Sequence, residues 1–426
     1  MKYCKRCLYP ENARPTIIFN DDGICSGCKT HESKSANINW EERQRHFKEI
    51  LKEYRDIANK NGNLYDCIIP VSGGKDSHYQ VYLAKVVYGM NPLLVTYNHA
   101  YNTEIGIRNI NNLVKTFGCD IVRWTTPIIT AHKISKHMLK MVGDLTWHYH
   151  TGIFTFPFQV AVKWNIPLIL WGEHGFAEMT GMFRLEDLPE FTAWSRQEYE
   201  MRGYKIEDLV SDPTSGVTIE EVGPLIFPKD EDMDRVGVRG LYMGVYHEWE
   251  HLKITKFLVE NYNFKMLNKR RERTFSLFHK IDDHANDVHD YLKFLKFGYG
   301  RGTDHASWEI RQGRMTREQG IRLATEYDGV RPSSLDVYLK NLNMTEDELL
   351  KIIEPMRDQT IWRKEDDGTW HLRDSVKNHL NDEGIDAARI KMVPDEKTTF
   401  GKNNLEYFFG PDFKKLKYDD EFCTSK

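Results

Sequence analysis

Short apolar runs and helically spaced apolar residues follow one another along the first two-thirds of the chain. Five short apolar runs are typical of buried strands: residues 65–71, 92–98, 120–124, 167–171 and 240–246. Four stretches carry apolar residues at helical spacing: residues 40–59, 77–90, 104–117 and 152–163. Strands that alternate with helices in this way predict an α/β fold built on a doubly wound parallel sheet.

The remainder of the chain has a different pattern. Residues 175–229 lose the alternation and become rich in Phe, Met and Trp, which predicts an insertion, with residues 176–194 as a candidate lid over the sheet. Helical spacing returns at residues 251–261 and 335–352, and a further helix is expected to end at Gly298.

These patterns divide the chain into three parts. The first is a short amino-terminal segment, the second is the sheet domain with its insertion, and the third is a mainly helical region. The expected bounds are residues 1–35, residues 36–265 with the insertion at about 175–235, and residues 266–426 with a distinctive block at 289–317.

Charge and composition exclude several classes of protein. The chain has 426 residues, 59 Lys and Arg against 63 Asp and Glu, and a net charge of -4. This balance argues against a protein whose main partner is nucleic acid, which would need a basic excess. No apolar run approaches the ~20 residues of a membrane span, and no apolar segment follows the first charged residues. We therefore expect a cytoplasmic protein without membrane contact.

Four cysteines near the amino terminus form two Cys-x-x-Cys pairs: Cys4, Cys7, Cys25 and Cys28. Two such pairs at this spacing are typical of a zinc ribbon, because four thiolates complete the tetrahedron that Zn²⁺ accepts. The alternatives are two disulfides, which a reducing cytoplasm disfavours, and a catalytic dithiol. Four cysteine ligands close the coordination sphere, so we expect a structural metal that supplies the folding free energy of this short segment.

A glycine loop joins the first predicted strand to the helix after it. We call residues 72–77 the glycine loop; they are Ser72, Gly73, Gly74, Lys75, Asp76 and Ser77. Backbone N–H groups before a helix bind phosphate, and the two hydroxyls add donors. Lys75 is a candidate counter-charge for phosphate, and Asp76 a candidate helix cap or Mg²⁺ ligand. The alternative is a glycine-rich turn with a capping residue.

Polar residues follow two other predicted strands. Asn98 ends the second strand, and Glu173 and His174 follow the fourth. The carboxyl ends of parallel strands meet at one edge of a sheet, so these side chains are expected near the glycine loop. Glu173 is a candidate metal ligand or base and His174 a candidate substrate contact. The alternatives are an ordinary loop carboxylate and a hydrogen-bonded loop histidine.

The block at 289–317 combines glycines with basic residues. Its candidate ligand-binding residues are Arg301, Asp304, His305, Arg311, Arg314 and Arg317. Guanidinium groups bind carboxylate and phosphate with two hydrogen bonds, so the cluster suits a small polyanionic ligand. The alternative is a set of ion pairs with Asp304, Glu309 and Glu318.

The glycine loop resembles the PP-loop of the ATP pyrophosphatases, also called the adenine nucleotide alpha hydrolase family. The whole set of motifs, including Trp-Gly-Glu at 171–173 and Lys-Phe-Gly-Tyr-Gly-Arg at 296–301, resembles the N-acetyl sugar amidotransferase family over most of the chain. These are bacterial enzymes of surface-polysaccharide and flagellin-glycan biosynthesis. The chain departs from the family pattern at His174, where an Asn is expected.

The resemblance implies an ATP- and Mg²⁺-dependent amidotransferase. The acetamido oxygen of an acidic or nucleotide-linked N-acetyl sugar, of the pseudaminic or legionaminic acid type for example, is adenylated and ammonia replaces it. Acetamidino sugar, AMP and pyrophosphate are the products. By motif match Ser72, Gly73, Gly74, Asp76 and Ser77 bind ATP. We add Asn98 to this site, Lys75, Asp76 and Glu173 as catalytic residues, and His174, Arg301, Asp304, His305 and Arg314 as substrate contacts.

Two further expectations concern partners and the competing function. Ammonia is expected from a separate glutaminase subunit, because no glutaminase motif surrounds Cys67 or Cys119. Whether the protein forms a homo-oligomer stays open. The competing function is a PP-loop enzyme that modifies tRNA, a thiolase or a lysidine-type ligase, which the near-neutral charge disfavours. A non-catalytic zinc-ribbon scaffold is the remaining class.

Overall fold

The computed structural model describes residues 1–98, 100–380, 382 and 406–409. Its centre is a six-stranded sheet: β1 Cys67–Pro70, β2 Pro92–Asn98, β3 Ile121–Thr125, β4 Leu168–Trp171, β5 Glu190–Phe191 and β6 Arg239–Tyr242. The order across the sheet is β3-β2-β1-β4-β6-β5, and every neighbouring pair is parallel except β5 with β6. The predicted doubly wound sheet is confirmed. A separate hairpin pairs β7 Trp362–Lys364 with β8 Trp370–Leu372.

Helices cover both faces of the sheet and form most of the chain after β6. Their bounds are α1 Ser26–Ala36, α2 Trp40–Asn61, α3 Lys75–Val81 (continued by a π-helical turn, Tyr82–Val87), α4 Glu104–Phe117, α5 Ile128–Val142, α6 Trp147–Trp164, α7 Gly175–Thr180, α8 Ala193–Ser195 (continued by a π-helical turn, Arg196–Glu200), α9 Ile206–Ser211, α10 Asp230–Val236, α11 Met243–Tyr246, α12 His251–Asn261, α13 Ala285–Phe297, α14 Arg301–Arg311, α15 Arg317–Tyr327, α16 Ser334–Leu342 and α17 Glu346–Ile353. None of the helices in the described part of the chain has both the length and the apolar content of a membrane span.

Two predicted elements differ in the structure. The helix expected over residues 335–352 is two helices, because Asn343 takes a left-handed φ of 47° after α16, and Thr345 caps α17. The strand expected over residues 240–246 ends at Tyr242, where α11 begins. The second break lies within an apolar run, where the spacing of hydrophobic residues carries no mark of it. The first break is marked in the sequence by Asn343 and by the capping pair Thr345 and Glu348, a signal that hydrophobic spacing alone does not use.

The insertion after β4 is built onto the edge of the sheet. Phe191 of β5 stacks on Trp171 of β4, with ring centroids 5.2 Å apart, and lies 5.7 Å from the ring of Phe154 on α6. Its backbone pairs with β6. Part of the segment expected as a lid is therefore a strand of the central sheet. The domain bounds given above remain a prediction.

Two hydrophobic cores unite segments that are distant in the chain. The larger core surrounds the sheet and continues into α13, α16 and α17. The smaller one joins residues of the amino-terminal segment, such as Leu8 and Tyr9, to Phe275 and to Ile310 on α14. The amino-terminal segment, expected to depend on its metal alone, thus also buries apolar side chains against the helical region.

Three backbone segments touch at the glycine loop. A Cβ added to Gly73 would lie 2.4 Å from the carbonyl oxygen of Gly106 at the start of α4. A Cβ added to Gly106 would lie 2.3 Å from the carbonyl oxygen of Asp282. Neither glycine has a left-handed φ, so close packing, not a special backbone conformation, requires glycine at both positions.

We predict that Gly106→Ala destabilises the protein. Alanine gains up to ~1 kcal/mol of helix propensity over glycine, but forcing a methyl group against rigid backbone costs about 1–3 kcal/mol, and the clash should win. Chemical denaturation measures the free energy of unfolding. The matched control is Gly223→Ala, since a Cβ there meets no atom within 4 Å. Equal stability of the two variants would contradict the packing argument.

Candidate active site

The glycine loop lies at the point where the order of the sheet reverses. β1 neighbours β2 on one side and β4 on the other, and the loop leads from β1 into α3. Its own hydroxyls fix its curvature: the N–H of Ser72 donates to Ser77 Oγ at 2.8 Å, and the N–H of Gly74 donates to Ser72 Oγ at 3.2 Å. Reversal points of this kind are where parallel sheets bind ligands.

Asp76, in the first turn of α3, accepts two hydrogen bonds. Lys75 Nζ lies 2.7 Å from Asp76 Oδ2, and Trp249 Nε1 donates to Asp76 Oδ1 at 2.9 Å. Desolvation by the surrounding walls would raise the pKa of the Asp76 carboxyl, but the Lys75 ammonium and the nearby His251 ring lower it to about 2. Asp76 is therefore a carboxylate at any physiological pH.

The carboxyl of Glu173, two residues after the end of β4, has a raised pKa, in contrast to that of Asp76. Burial and the charges of Asp76 and Glu178 raise the pKa of its carboxyl to about 8. His251 Nε2 lies 3.2 Å from Glu173 Oε2, and His251 Nδ1 lies 3.9 Å from Asp76 Oδ1. Burial and Lys75 hold the pKa of His251 well below its usual range. A neutral imidazole thus stands between an ionised and a protonated carboxyl.

Trp249 and His251 escaped the sequence analysis. His251 is the first residue of α12, and Trp249 lies two residues before it. The helical spacing of residues 251–261 predicts a helix and indicates no site. No motif marks them, and their role comes from the packing of α12 against α3.

Lys75, Asp76 and Glu173 line one cavity of about 490 Å³, a volume typical of small-molecule sites. The cavity is lined by the glycine loop, by Asn98 and Glu173 at strand ends, and by Phe176 and Met179 of α7. The helical region contributes further polar residues: Lys280, Asp282, Asn286, His289, His305 and Trp308 together with His279. Asn98 donates to Thr125 Oγ1 at 3.0 Å and so holds the ends of β2 and β3 together.

Of the residues expected to bind substrate, His305 lines the cavity and four others do not. Arg301 donates to both carboxylate oxygens of Asp290, with the shortest contact at 2.7 Å, and lies 3.0 Å from Asp304 Oδ2. Asp304 also accepts from Lys293 Nζ at 2.8 Å and from Tyr9 at 2.9 Å. This buried charge network satisfies Arg301 and Asp304 within the protein.

Arg314 and His174 also have structural partners. Arg314 donates to Glu309 at 2.6 Å and to Glu250 at 2.7 Å. His174 caps α7 by accepting the N–H of Ala177 at 3.4 Å and packs on the ring of Tyr242 at 4.3 Å. Arg301 and Arg314 are therefore ion-pair residues, and His174 is a hydrogen-bonded loop histidine, as the alternatives in the sequence analysis stated. Each of these buried polar groups already has a partner in the protein.

Residues 254–377 match the family model described as LPS biosynthesis protein WbpG-like, C-terminal domain. We call these residues the WbpG-like domain, and the resemblance drawn from the motifs is confirmed at the level of this domain. The WbpG-like domain contributes His279, His289, His305 and Lys280 to the cavity, whereas the segment after β1 contributes the glycine loop.

The other comparisons show only weak similarity to known proteins. The uncharacterized protein MJ1599 of Methanocaldococcus jannaschii is 29% identical over 119 residues, which are 28% of this chain and 41% of that protein. NMN synthetase from Francisella tularensis aligns with 51% of this chain and 97% of its own at 12% identity and a TM-score of 0.27. NH3-dependent NAD synthetase from Campylobacter jejuni aligns with 47% and 92% at 10% identity and a TM-score of 0.26. Likenesses this weak do not bear on activity.

The four cysteines predicted to bind zinc form a buried cluster: Cys4, Cys7, Cys25 and Cys28. Their sulfurs all lie within 4.8 Å of one another, with Cys4 and Cys28 at 3.9 Å and Cys7 and Cys25 at 3.5 Å. Zn–S bonds of about 2.3 Å in a tetrahedron place sulfurs about 3.8 Å apart. None of the four forms a disulfide. The donor set and its spacing therefore fit a zinc ion.

Arg311 of the WbpG-like domain connects the four-cysteine cluster to α7. Its guanidinium lies 3.6 Å from Cys25 Sγ and 3.8 Å from Cys7 Sγ, and it donates to the carbonyl of Met179 at 2.9 Å. Helix α1 also packs tightly on α7, because a Cβ on Gly27 would lie 2.6 Å from the same carbonyl. Helix α7 begins two residues after Glu173 and carries part of the cavity wall. The four-cysteine cluster therefore contacts the element that forms this wall.

We predict that Arg311→Met weakens zinc binding. Four thiolates around Zn²⁺ carry a net negative charge, and groups beyond the ligands typically contribute 10–100-fold to metal affinity. Transfer of zinc to a chromogenic chelator should be at least about 10-fold faster than in the wild type. Arg322→Met, which removes an exposed arginine paired with Glu318, is the control. Equal release rates in both variants would contradict the prediction.

The raised pKa of Glu173 predicts a pH-dependent stability in magnesium-free buffer. Between the ordinary value of 4.5 and the folded value of about 8, only the folded protein keeps this proton. The free energy of unfolding should therefore fall as pH rises through this window. Glu173→Gln has no such proton to lose, so its free energy of unfolding should not show this fall between pH 5 and pH 8. The variant should therefore gain stability relative to the wild type as pH rises, as measured by chemical denaturation. Glu248→Gln, on the surface, should follow the wild type; parallel profiles for all three proteins would contradict the assignment.

Proposed function

We propose that the protein is an ATP-utilising, ligase-type enzyme of glycan biosynthesis that converts an acetamido group of a sugar into an acetamidino group. One observation carries the proposal: the PP-loop and the WbpG-like domain share a single cavity. The sheet side offers phosphate-binding groups, and the domain side offers polar groups suited to a sugar.

The sheet side of the cavity fits ATP and Mg²⁺. The backbone of the glycine loop and the buried Lys75 ammonium would hold the β and γ phosphates. The carboxylates of Asp76 and Glu173 would hold Mg²⁺, whose charge offsets that of the phosphates. The cation would also favour the ionised form of Glu173 and lower its pKa.

Adenylation explains how an unreactive amide can accept ammonia. The amide oxygen attacks the α phosphorus, pyrophosphate leaves, and the carbonyl carbon becomes an electrophile with AMP as its leaving group. Ammonia then adds to this carbon, the C–O bond breaks, and AMP departs with the former amide oxygen. The protein contributes by positioning the amide oxygen against phosphorus, an effect worth ~7 kcal/mol or more.

Two features of the site suit the later steps. Glu173 is ionised when the cation is bound, and burial of its carboxyl favours the protonated form, so Glu173 can take the proton that ammonia loses on addition. Phe176 and Met179 form an apolar part of the wall, which keeps water from the adenylate. Ammonia is proposed to come from a separate glutaminase subunit.

The proposed substrate is an acidic or nucleotide-linked N-acetyl sugar. Among the described residues, the lysine and arginine side chains that line the cavity belong to Lys75, Arg123 and Lys280. Because Arg301 and Arg314 are paired with carboxylates, we assign the anionic part of the sugar to Arg123 and Lys280. This replaces the arginine cluster of the sequence analysis as the anion-binding group.

The test is a reaction with ATP, ammonium and a panel of acetamido sugars and their nucleotide conjugates. Mass spectrometry should show a sugar lighter by about one dalton, because oxygen is exchanged for NH. Phosphorus label in the γ position of ATP should appear in pyrophosphate. Asp76→Asn should lower the rate about 100-fold or more, whereas the surface variant Asp234→Asn should retain it. Label in orthophosphate, or an unchanged sugar across the panel, would contradict the proposal.

A further inference from the structure

Two histidines of the cavity wall have nitrogen atoms without hydrogen-bond partners. The rings of His279 and His305 are nearly parallel, with centroids 4.3 Å apart, and both residues line the cavity. They are 4% and 1% exposed. Within the described part of the chain, neither Nε2 atom has a partner. We call these two residues the imidazole pair. Buried polar atoms are rarely left unpaired, so the pair indicates a ligand.

The other nitrogen of each ring contacts a hydroxyl. Thr274 Oγ1 lies 2.6 Å from His305 Nδ1, and Ser276 Oγ lies 2.7 Å from His279 Nδ1. Each hydroxyl oxygen already accepts a backbone N–H, from Ser276 at 3.2 Å and from Phe278 at 3.4 Å. We assign the hydroxyl protons to Nδ1, and in this tautomer the ring hydrogen lies on Nε2. Both rings then present N–H donors.

The donors of the imidazole pair carry no formal charge. Burial holds the pKa of both histidines well below the usual range, and for His305 the nearby Arg301 acts in the same direction. The indole of Trp308 extends this wall, with its ring 5.3 Å from His279 and 5.4 Å from His305. Neutral N–H donors beside an aromatic surface suit an uncharged carbonyl with a methyl group. Anionic groups would instead bind the cationic side chains elsewhere in the cavity: Lys75, Arg123 and Lys280.

We propose that the imidazole pair binds the carbonyl oxygen of an acetamido group other than the one that is adenylated, through two Nε2–H donors, while Trp308 contacts its methyl group. This inference rests on the proposed function, since it identifies the part of the cavity that recognises an N-acetyl sugar. His279 and His305 are specificity residues in this assignment. A sugar with a hydroxyl in place of the acetamido group leaves these donors unpaired and binds less tightly.

Matched sugar nucleotides test the assignment. Calorimetry with the full chain and a non-hydrolysable ATP analogue compares UDP-N-acetylglucosamine with UDP-glucose, and CMP-linked acetamido and hydroxyl sugars form a second pair. The wild type should prefer the acetamido member at least about 10-fold, a factor equal to one hydrogen bond of ~1.4 kcal/mol. His279→Leu and His305→Leu should each reduce this preference to about twofold or less.

Further variants separate recognition from folding. His279→Gln and His305→Gln keep an N–H donor near the position of Nε2, so they should recover part of the preference. His371→Leu, on the exposed face of β8, is the control. Affinity for the ATP analogue should be the same in every variant. A full preference in the leucine variants, or none in the wild type for either pair, would overturn the inference. Failure of the proposed function would be seen in a different experiment, because the reaction with ATP, ammonium and sugar would then release no AMP and pyrophosphate.

Discussion

The guanidinium of Arg311 is the interaction on which the arrangement of the molecule depends. It is buried against two sulfurs of the four-cysteine cluster and binds carbonyls at the end of α7. A buried cation is stable only beside compensating negative groups, so Arg311, the cluster and α7 hold one another in place. Glu173 and the apolar wall formed by Phe176 and Met179 lie at the other end of this connection. The four-cysteine cluster thereby helps to fix the position of the Glu173 carboxyl, which has a catalytic role in the proposed function.

Two buried arginines of the WbpG-like domain are paired with carboxylates. Arg301 is shared between Asp290 and Asp304, and Arg314 between Glu309 and Glu250. Desolvated guanidinium groups with such partners hold helices in register and are costly to separate. These arginines do not line the cavity, whereas His279, His305 and Trp308 do. In the proposed function these uncharged groups contact an acetamido group, and cationic side chains elsewhere in the cavity bind the anionic part of the sugar.

The sequence predicted those features that a local pattern determines. The bounds of β2, α4 and α12, the glycine loop between β1 and α3, and the convergence of the four cysteines follow from periodicity or spacing. His251 and His279 were missed because their contacts arise from packing between segments far apart in the chain. The arginines were misplaced for a related reason. Their residue types suit either a ligand or an ion pair, and only the positions of the carboxylates decide: Asp290 for Arg301, and Glu250 and Glu309 for Arg314.

The contact of the glycine loop with Gly106 and Asp282 has a thermodynamic consequence. Because these backbones touch without space for a methyl group, the loop cannot shift without displacing the segment that carries His279, three residues before Asp282. If, as proposed, a nucleotide binds the glycine loop and a sugar binds beside His279, this contact would couple the two sites, and by reciprocity each ligand would change the affinity for the other by the same factor.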